Sequence, residues 1–311
     1  MPDSSPVCSV KAVLTGHKGP VLSVRFTRDG EYCLSTGKDR SIRLWNPHKR
    51  IHITEYNGHG YEVRDTTVQA DNSKFISCGG DKNVFLWDVS TGKVMRKFRG
   101  HTSEVNSVCY SGNCNIFVSG GYDQTVRVWD CRSRSIDPIQ VIKVCQDCVM
   151  SVRFLETGDI LAGSVDGTVR RFDIRHGSIV TDLVHHPVTC VDISKDRRYI
   201  LASCTDGCNR LLDTKGGQLL GTYRGHIHSY SKIEAGFSPD ESKIIGGSED
   251  GNIFCWDLLN GDVVDKLQGH SAAVTSLSIT DAMLATSSAD GLIKIWGWND
   301  MKQNTLGMNI S

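Results

Sequence analysis

Residues 123–129 read Asp-Gln-Thr-Val-Arg-Val-Trp, and they are the clearest copy of a unit that recurs along the whole chain. Val126 and Val128 are apolar, and they alternate with the polar Thr125 and Arg127. Such alternation predicts a β-strand that buries one face and exposes the other. The aspartate stands six residues before the tryptophan. This fixed offset identifies the other copies.

Seven copies of the unit occur at nearly constant spacing. Five end in tryptophan, whereas the fourth and fifth end in phenylalanine and leucine. Their end positions are 42, 42, 43, 40, 44 and 40 residues apart. The units run from Asp39 to Trp45, Asp81 to Trp87, Asp123 to Trp129, Asp166 to Phe172, Asp206 to Leu212, Asp250 to Trp256 and Asp290 to Trp296. Repeats of this length indicate an architecture of stacked modules.

Further strand-like segments surround each unit. Two short apolar segments precede the first unit, at 21–26 and 32–35, and one follows the second unit, at 94–98. Four antiparallel strands in about 40 residues are typical of one blade of a β-propeller. We therefore predict an all-β, seven-bladed propeller. The residues after Trp296 form a polar turn and tail, so we expect the N-terminal segment 10–14 to supply the outer strand of the last blade and remove an exposed edge.

The predicted domain organisation is a single propeller over residues 1–300, followed by a short C-terminal tail at 299–311. The segment 10–14 closes the last blade. The seven repeats lie at roughly 15–56, 57–98, 99–142, 143–182, 183–223, 224–267 and 268–298.

Two dipeptides recur at matching positions in the repeats. Gly-His pairs lie at 16–17, 58–59, 100–101, 225–226 and 269–270, and Trp-Asp pairs lie at 87–88, 129–130 and 256–257. With these motifs the chain resembles the WD40 family over nearly its whole length. The resemblance implies a buried network in which the turn aspartate accepts from the histidine, the histidine bonds a serine or threonine, and that hydroxyl accepts the tryptophan N–H.

Complete sets of these four residues can be assigned in four repeats. They are His17, Ser35, Asp39 and Trp45; His59, Ser77, Asp81 and Trp87; His101, Ser119, Asp123 and Trp129; and His270, Thr286, Asp290 and Trp296. The sixth repeat has Gly246 in place of the hydroxyl. The fourth and fifth have Val144-Cys145 and Leu183-Val184 in place of Gly-His, so we expect those blades to rely on apolar packing.

Charge and composition argue against several classes of protein. The 35 Lys and Arg balance 35 Asp and Glu, so direct nucleic-acid binding is not expected. No stretch of 18 apolar residues could span a membrane, and the first eleven residues lack the pattern of a secretion signal. The 12 cysteines are scattered through strand-like segments. We expect a soluble monomer with reduced thiols, present in the cytoplasm and the nucleus.

No residue pattern indicates catalysis or a cofactor. Gly37-Lys38 and Gly92-Lys93 lack the Ser or Thr that would complete a Walker phosphate loop. Cys145-x-x-Cys148 and His226-x-His228 each lack the further ligands of a metal site. The aspartates recur once per repeat, which indicates a structural role rather than acid–base chemistry. We therefore predict a non-enzymatic protein with no catalytic residue, metal or cofactor.

A rigid propeller without chemistry of its own is suited to binding proteins. We expect one binding surface on the top face, where the inner strands begin and the turn aspartates lie. Its candidates are Lys38, Tyr61, Glu62, Arg64, Asn106, Tyr122, Met150 and Glu249. Tyrosine and arginine are favoured anchors of interfaces, although any one of these side chains could equally be a solvated loop residue.

A second candidate surface lies at the rim. Arg132 and Arg175 end two consecutive aromatic-Asp-x-Arg boxes, at 129–132 and 172–175. The boxes resemble those of substrate receptors of cullin-type ubiquitin ligases. Under that resemblance the arginines would bind a carboxylate of the ligase adaptor; alternatively, each arginine pairs with an acid of its own blade.

Five longer segments carry a narrower resemblance. They lie at 56–63, 78–82, 96–101, 129–134 and 161–167, and they are similar to WD-repeat scaffolds that organise mitogen-activated protein kinase cascades. This resemblance implies kinase-cascade partners, in a family also associated with the spliceosome. Three functions therefore remain open: a kinase-cascade scaffold, a splicing subunit that contacts its neighbours through proteins, and a ubiquitin-ligase receptor.

Overall fold

The computed structural model describes residues 7–112, 114–133, 135–155 and 158–299. No helix long and apolar enough to cross a membrane occurs in these ranges. Their 28 strands are β1 (Cys8–Leu14), β2 (Val21–Phe26), β3 (Cys33–Gly37), β4 (Ser41–Asn46), β5 (Ile51–Asn57), β6 (Val63–Val68), β7 (Lys74–Gly79), β8 (Asn83–Asp88), β9 (Val94–Arg99), β10 (Val105–Tyr110), β11 (Ile116–Gly121), β12 (Val126–Asp130), β13 (Gln140–Ile142), β14 (Val149–Phe154), β15 (Asp159–Ser164), β16 (Thr168–Asp173), β17 (Ser178–Leu183), β18 (Val188–Ile193), β19 (Tyr199–Cys204), β20 (Cys208–Asp213), β21 (Leu219–Tyr223), β22 (Ala235–Phe237), β23 (Lys243–Gly247), β24 (Asn252–Asp257), β25 (Val263–Gln268), β26 (Val274–Ile279), β27 (Met283–Ser288) and β28 (Ile293–Trp298).

The strands form seven antiparallel sheets of four, one for each blade, which confirms the predicted seven-bladed propeller. In the first blade the order is β2, β3, β4 and β5, and the next five blades repeat this order. These positions are the inner, second, third and outer strands. The last blade has the order β26, β27, β28 and β1, so the N-terminus supplies its outer strand.

The inner strands surround a central axis. Each contacts the inner strand of the next blade, and β26 contacts β2, so the ring is closed. Every inner strand begins on one face of the ring, and the turn between the second and third strands lies on that same face because the strands are antiparallel. We call this the top face and the opposite side the bottom face.

Ring closure depends on β1, which pairs with β28. Cys8 lies opposite Trp298, and Leu14 lies opposite Ile293. This pairing confirms that the N-terminal strand closes the last blade, with two more residues than the predicted segment 10–14. The predicted tail at 299–311 lies outside the described residues apart from Asn299.

The hydrophobic core is divided among the junctions between blades. Each of the seven buried clusters found in the described residues joins two adjacent blades. Between the first and second blades, the Tyr56 ring centroid lies 4.8 Å from that of Phe75 and 6.0 Å from that of Trp87. A single blade cannot bury both of its faces, so each one is stabilised by its neighbours.

The turns between second and third strands share one backbone feature. The residue after each turn aspartate has a positive φ, a conformation that glycine adopts without steric cost. These residues are Arg40, Lys82, Gln124, Gly167, Gly207, Gly251 and Gly291. The turn therefore has a similar shape in every blade, which places the seven aspartates at equivalent positions on the top face.

A buried ion cluster joins several inner strands beside the axis. Arg25 donates to both carboxylate oxygens of Glu234, at 2.8 and 2.7 Å, and to Asp65 at 2.9 Å. Asp65 also accepts from the hydroxyls of Ser23 and Ser107, at 3.1 and 2.9 Å. These residues come from the first, second, third and sixth blades. The cluster therefore connects blades that are far apart in the sequence.

Closure by β1 is tested by two neighbouring substitutions. Ala12 is 6% exposed within the core, whereas Val13 on the opposite side of the strand is 46% exposed. Ala12→Glu would bury an unpaired carboxylate and should cost about 3 kcal/mol or more in the free energy of unfolding, while Val13→Glu should cost little. Thermal unfolding of both variants checks this. Equal melting temperatures for the two variants would show that β1 is not packed as described.

Candidate protein-binding site on the top face

Four blades contain the complete histidine network. In the second blade, His59 Nδ1 lies 2.8 Å from the Asp81 carboxylate and Nε2 lies 2.7 Å from Ser77 Oγ. The Trp87 indole N–H donates to that Oγ at 2.8 Å. The structure makes the same contacts in the three other predicted sets. They are His17, Ser35, Asp39 and Trp45; His101, Ser119, Asp123 and Trp129; and His270, Thr286, Asp290 and Trp296.

Burial and the contacts within the network shift the pKa values of its aspartate and histidine side chains. Burial raises the pKa of Asp81, but the hydrogen bond and charge interaction with His59 outweigh this effect and hold it below its ordinary value. Burial lowers the pKa of His101, although Asp123 opposes the change. In the third blade an uncharged His101 imidazole therefore donates its Nδ1 proton to the Asp123 carboxylate at neutral pH, and the Ser119 hydroxyl donates to Nε2.

The fourth and fifth blades use arginine where histidine is missing. Arg170 donates to the turn Asp166 at 2.7 Å, and Arg210 donates to the turn Asp206 at 2.9 Å. Each arginine lies four residues after its aspartate, at the start of the third strand, and can reach back to the turn. The expectation that these blades rely on apolar packing alone is therefore wrong, because an ion pair takes the place of the histidine contact.

The sixth blade has neither arrangement. His226 occupies the predicted position and is 6% exposed, yet neither ring nitrogen has a hydrogen-bond partner among the residues that the structure describes. With Gly246 in place of the hydroxyl, the Trp256 ring fills that space and its N–H donates to the Arg224 carbonyl at 2.8 Å. His228 lies in the connecting loop that follows, where it is buried and lies 2.9 Å from the Ser231 carbonyl oxygen.

Four of the predicted binding residues meet on the top face between the second and third blades. Arg64 donates to Glu62 at 2.9 Å and to the Asn106 side-chain oxygen at 2.6 Å. Its guanidinium carbon lies 5.1 Å from the ring centroid of Tyr122. Asn106 is itself buried and donates to the Val149 carbonyl, so it positions Arg64 rather than facing a partner.

Three other predicted residues surround this group. Tyr61 is 60% exposed, and its ring centroid lies 6.0 Å from the guanidinium carbon of Arg40. Lys38 is exposed, and Met150 is half-buried with its sulfur 3.5 Å from the Asn106 amide. A depression of about 370 Å³ lies beside them. Its lining residues are Tyr61, Glu62, Gly80, Asp81, Lys82 and Glu104.

Glu249, the remaining predicted residue, supports a loop of the sixth blade. One of its carboxylate oxygens accepts the backbone N–H groups of Ser229, Tyr230 and Ser231, each at 3.0 Å. These three bonds use one carboxylate oxygen, so Glu249 holds the loop through that oxygen. Its predicted role in binding a partner stays a prediction.

Seven segments of the chain match the family model described as "WD40: WD domain, G-beta repeat". They lie at 8–46, 50–88, 92–130, 136–173, 177–213, 217–257 and 261–297. The chain belongs to the WD40 repeat family. Each WD40 repeat begins in the outer strand of one blade and ends in the third strand of the next, which is why the first repeat contains β1.

Individual WD40 proteins resemble the chain over nearly its full length. WD repeat domain-containing protein 83 from Rattus norvegicus is 52% identical over 281 residues, covering 90% of this chain and 89% of the relative. The Xenopus tropicalis protein of the same name is 48% identical over 282 residues, with the same shares of the two chains covered. A homolog from Dictyostelium discoideum is 33% identical over 317 residues, covering 93% and 98%.

The rim arginines, Arg132 and Arg175, lie just after the third strands β12 and β16, at the bottom face of the ring. Arg132 has 67% of its side chain exposed, and its Nε lies 3.4 Å from Asp130 of the same box. The Arg175 guanidinium lies against Gly158, and its backbone N–H donates to Asp173 at 2.9 Å. Both boxes therefore make contacts within their own blades. Arg134, the last residue of the segment 129–134 that resembles kinase-cascade scaffolds, lies outside the described residues.

The cysteine and histidine motifs do not form a reactive or metal centre in the described ranges. Burial raises the pKa of the Cys148 thiol to about 12, and it also raises the pKa of Cys145. All 12 cysteines are free thiols. No group of three or more His, Cys, Asp or Glu among the described residues could hold a metal ion.

Sequence reasoning missed two residues of the top face, Tyr230 and Lys232. Tyr230 is 83% exposed, and Lys232 Nζ donates across the axis to the Asn106 carbonyl at 3.0 Å. One sequence signal does point to them. The longest step between repeats, 44 residues, separates Leu212 from Trp256 and places additional residues in this loop.

The turn aspartates allow a matched test of the WD40 network. Asp81→Ala would leave buried His59 without its partner and should cost about 1 to 3 kcal/mol in the free energy of unfolding. Asp250 occupies the same turn position in the sixth blade but contacts Asn252 rather than a histidine, so Asp250→Ala should cost less than about 1 kcal/mol. Denaturant unfolding measures both. A larger loss for Asp250→Ala would contradict the network.

The unpartnered histidine predicts a pH dependence. Burial, reinforced by His228, lowers the pKa of His226 to about 4. Between the ordinary histidine value and pH 4 the unfolded chain takes up a proton there that the folded chain does not, so stability falls as the pH falls through this range. His226→Leu should be nearly neutral at pH 7 and should reduce the loss of melting temperature between pH 7 and pH 5. An unchanged loss would exclude this role.

Proposed function

We propose that the chain is a non-enzymatic scaffold that holds proteins together on its top face. WD40 propellers generally bind proteins, and the family is generally non-enzymatic. The observation that supports this most directly is the group around Arg64. Exposed tyrosines stand beside an arginine whose geometry is fixed by Glu62 and Asn106, and ordered aromatic and arginine side chains are typical of interface anchors.

The partners we propose are components of a mitogen-activated protein kinase cascade. This proposal rests on the resemblance of the segments at 56–63, 78–82 and 96–101 to kinase-cascade organisers. Tyr61, Glu62 and residues 80–82 also line the depression on the top face. A scaffold of this kind raises the effective concentration of bound enzymes without adding chemistry of its own.

A splicing assembly is the second proposed setting. The balance of 35 basic and 35 acidic residues favours contact through proteins rather than through RNA. Under this proposal the same top face would bind splicing proteins in the nucleus, whereas kinase-cascade partners would be found in the cytoplasm. The cell compartment in which the partners are found therefore distinguishes the two proposals.

A ubiquitin-ligase receptor is a third candidate, supported by the exposure of Arg132. Only its Nε–H is directed at Asp130, which leaves the four N–H donors of the two terminal nitrogens to bind a carboxylate of an adaptor. The contact of Arg175 with Gly158 gives weaker support, because that side chain already lies on its own blade.

Affinity purification from separate nuclear and cytoplasmic extracts tests the proposal. The full chain is compared with a top-face variant, Arg64→Glu with Tyr122→Ala, and with a rim variant, Arg132→Ala with Arg175→Ala. We expect cytoplasmic kinase-cascade proteins to be lost with the top-face variant and retained with the rim variant. Both variants must keep the melting temperature of the unaltered chain.

Two results would replace this proposal with another, and a third would contradict it. Splicing proteins recovered from the nuclear extract and lost with the top-face variant would support the splicing subunit. Ligase-adaptor proteins lost only with the rim variant would support the receptor. Recovery of the same proteins by all three forms of the chain would contradict a scaffold that uses either surface.

A further inference from the structure

The sixth blade carries a loop that differs from its counterparts. Its inner strand β22 has three residues, whereas each of the other inner strands has six. The chain from Ile227 to Ile233 instead forms an irregular loop above the top of the ring. His228 anchors the underside of this loop, because it is buried and contacts the Ser231 carbonyl and the Thr189 hydroxyl.

The backbone of this loop is held in place, although Ile227 and Tyr230 expose their side chains. Glu249 accepts three successive N–H groups at 3.0 Å, and the Ile227 N–H donates to Ser248 Oγ at 3.0 Å. Tyr230, in the middle of the loop, is nevertheless 83% exposed. A large apolar ring on an ordered backbone loses little conformational entropy on binding.

Two cations meet at the mouth of the central axis beside this loop. Lys232 Nζ donates to the Asn106 carbonyl oxygen at 3.0 Å, and Arg64 donates to the Asn106 side-chain oxygen at 2.6 Å. Glu62 pairs with Arg64, but no ion pair of Lys232 is found among the described residues. One neutral residue, Asn106, thus accepts hydrogen bonds from two positive groups, through its backbone carbonyl and its side-chain oxygen. Carboxylates near these groups include Glu62, which pairs with Arg64, and the buried Glu234, whose pKa the Lys232 charge helps to lower.

We propose that the axis mouth binds an extended acidic segment of a partner protein, with a carboxylate on the Lys232–Arg64 pair and an apolar side chain against Tyr230. This proposal deepens the scaffold function and rests on it. A carboxylate would accept hydrogen bonds from two ordered cations, and bonds of this charge-assisted kind are stronger than those between neutral groups. Lys232 and Tyr230 are two residues apart on one loop, so a single extended peptide can contact both.

A protein segment fits this mouth better than a nucleic acid does. Glu62 pairs with Arg64, and Glu104 lies with Lys82 in the adjoining depression, so two carboxylates stand beside the cations and would repel a continuous phosphate backbone. A peptide can place one carboxylate on the cations and a neutral residue beside each glutamate. The mouth therefore carries charges of both signs, with Lys232 and Arg64 at its centre. This pattern favours a peptide partner that contains neutral as well as acidic residues.

The test uses a displayed library of random dodecapeptides, selected on the immobilised full chain and counter-selected on the Lys232→Gln, Tyr230→Ala double variant. We expect enriched peptides to carry Asp or Glu near an aromatic or aliphatic residue. By fluorescence anisotropy, each single variant should weaken binding of these peptides about tenfold or more, and so should Gln in place of their acidic residues. Added salt should weaken binding as well.

Two surface variants on the bottom face serve as matched controls. Leu259→Ala removes a 91% exposed apolar side chain of the same blade, and Lys195→Gln removes an exposed lysine. Neither should change the affinity. Because Tyr230 and Lys232 lie on an exposed loop, their variants are expected to keep the melting temperature of the unaltered chain, which is measured in the same series.

Several outcomes would overturn the proposal. The proposal is wrong if the enriched peptides lack acidic residues, or if they bind the double variant as well as the unaltered chain. It is also wrong if no peptide is enriched. Tighter binding of fluorescein-labelled oligouridylate that is lost in the same variants would assign the mouth to RNA. Peptides that depend on Arg132 and Arg175 instead would remove this site while leaving the scaffold function in place.

Discussion

The hydrogen bond between a turn aspartate and the side chain beneath it determines how each blade ends at the top face. Where that partner is histidine, a chain of bonds runs from the carboxylate to the indole of the third strand and joins loop, turn and sheet. Where it is Arg170 or Arg210, an ion pair joins only the turn and the third strand. In the sixth blade both are missing, and Glu249 holds the loop instead. The top face of the ring therefore carries loops and turns that are held in three different ways: by a histidine network, by an arginine ion pair or by Glu249.

The ring could be predicted from the sequence because its determinants are local and repeated. An aspartate six residues before a large apolar residue, found seven times, sets both the blade number and the positions of the third strands. The four complete networks were implied by the WD40 resemblance, with the histidine 22 residues before the aspartate in three repeats and 20 residues before it in the last. Arg170 and Arg210 were missed because the pattern describes histidine alone, although both arginines stand at equivalent positions two residues before the end of the unit.

The candidate site was less accessible to sequence reasoning, because its geometry depends on contacts between distant blades. Tyr122 and Arg64 could be placed on the top face from their offsets, but not the 5.1 Å separation between them. Lys232 reaches Asn106 from 126 residues away, and no local pattern encodes that contact. Nor could Asn106 be recognised as buried, or Glu249 as already bonded, until the neighbouring loops were known.

The pairing of β1 with β28 has a consequence for biosynthesis. β1 is synthesised well before β28, so the seventh blade cannot form until Trp298 has left the ribosome. Until then the first and sixth blades each keep one face uncovered, and β1 remains an unpaired edge beside growing apolar sheets. These apolar faces and the β1 edge are therefore open to non-native pairing for as long as the first six blades are being made.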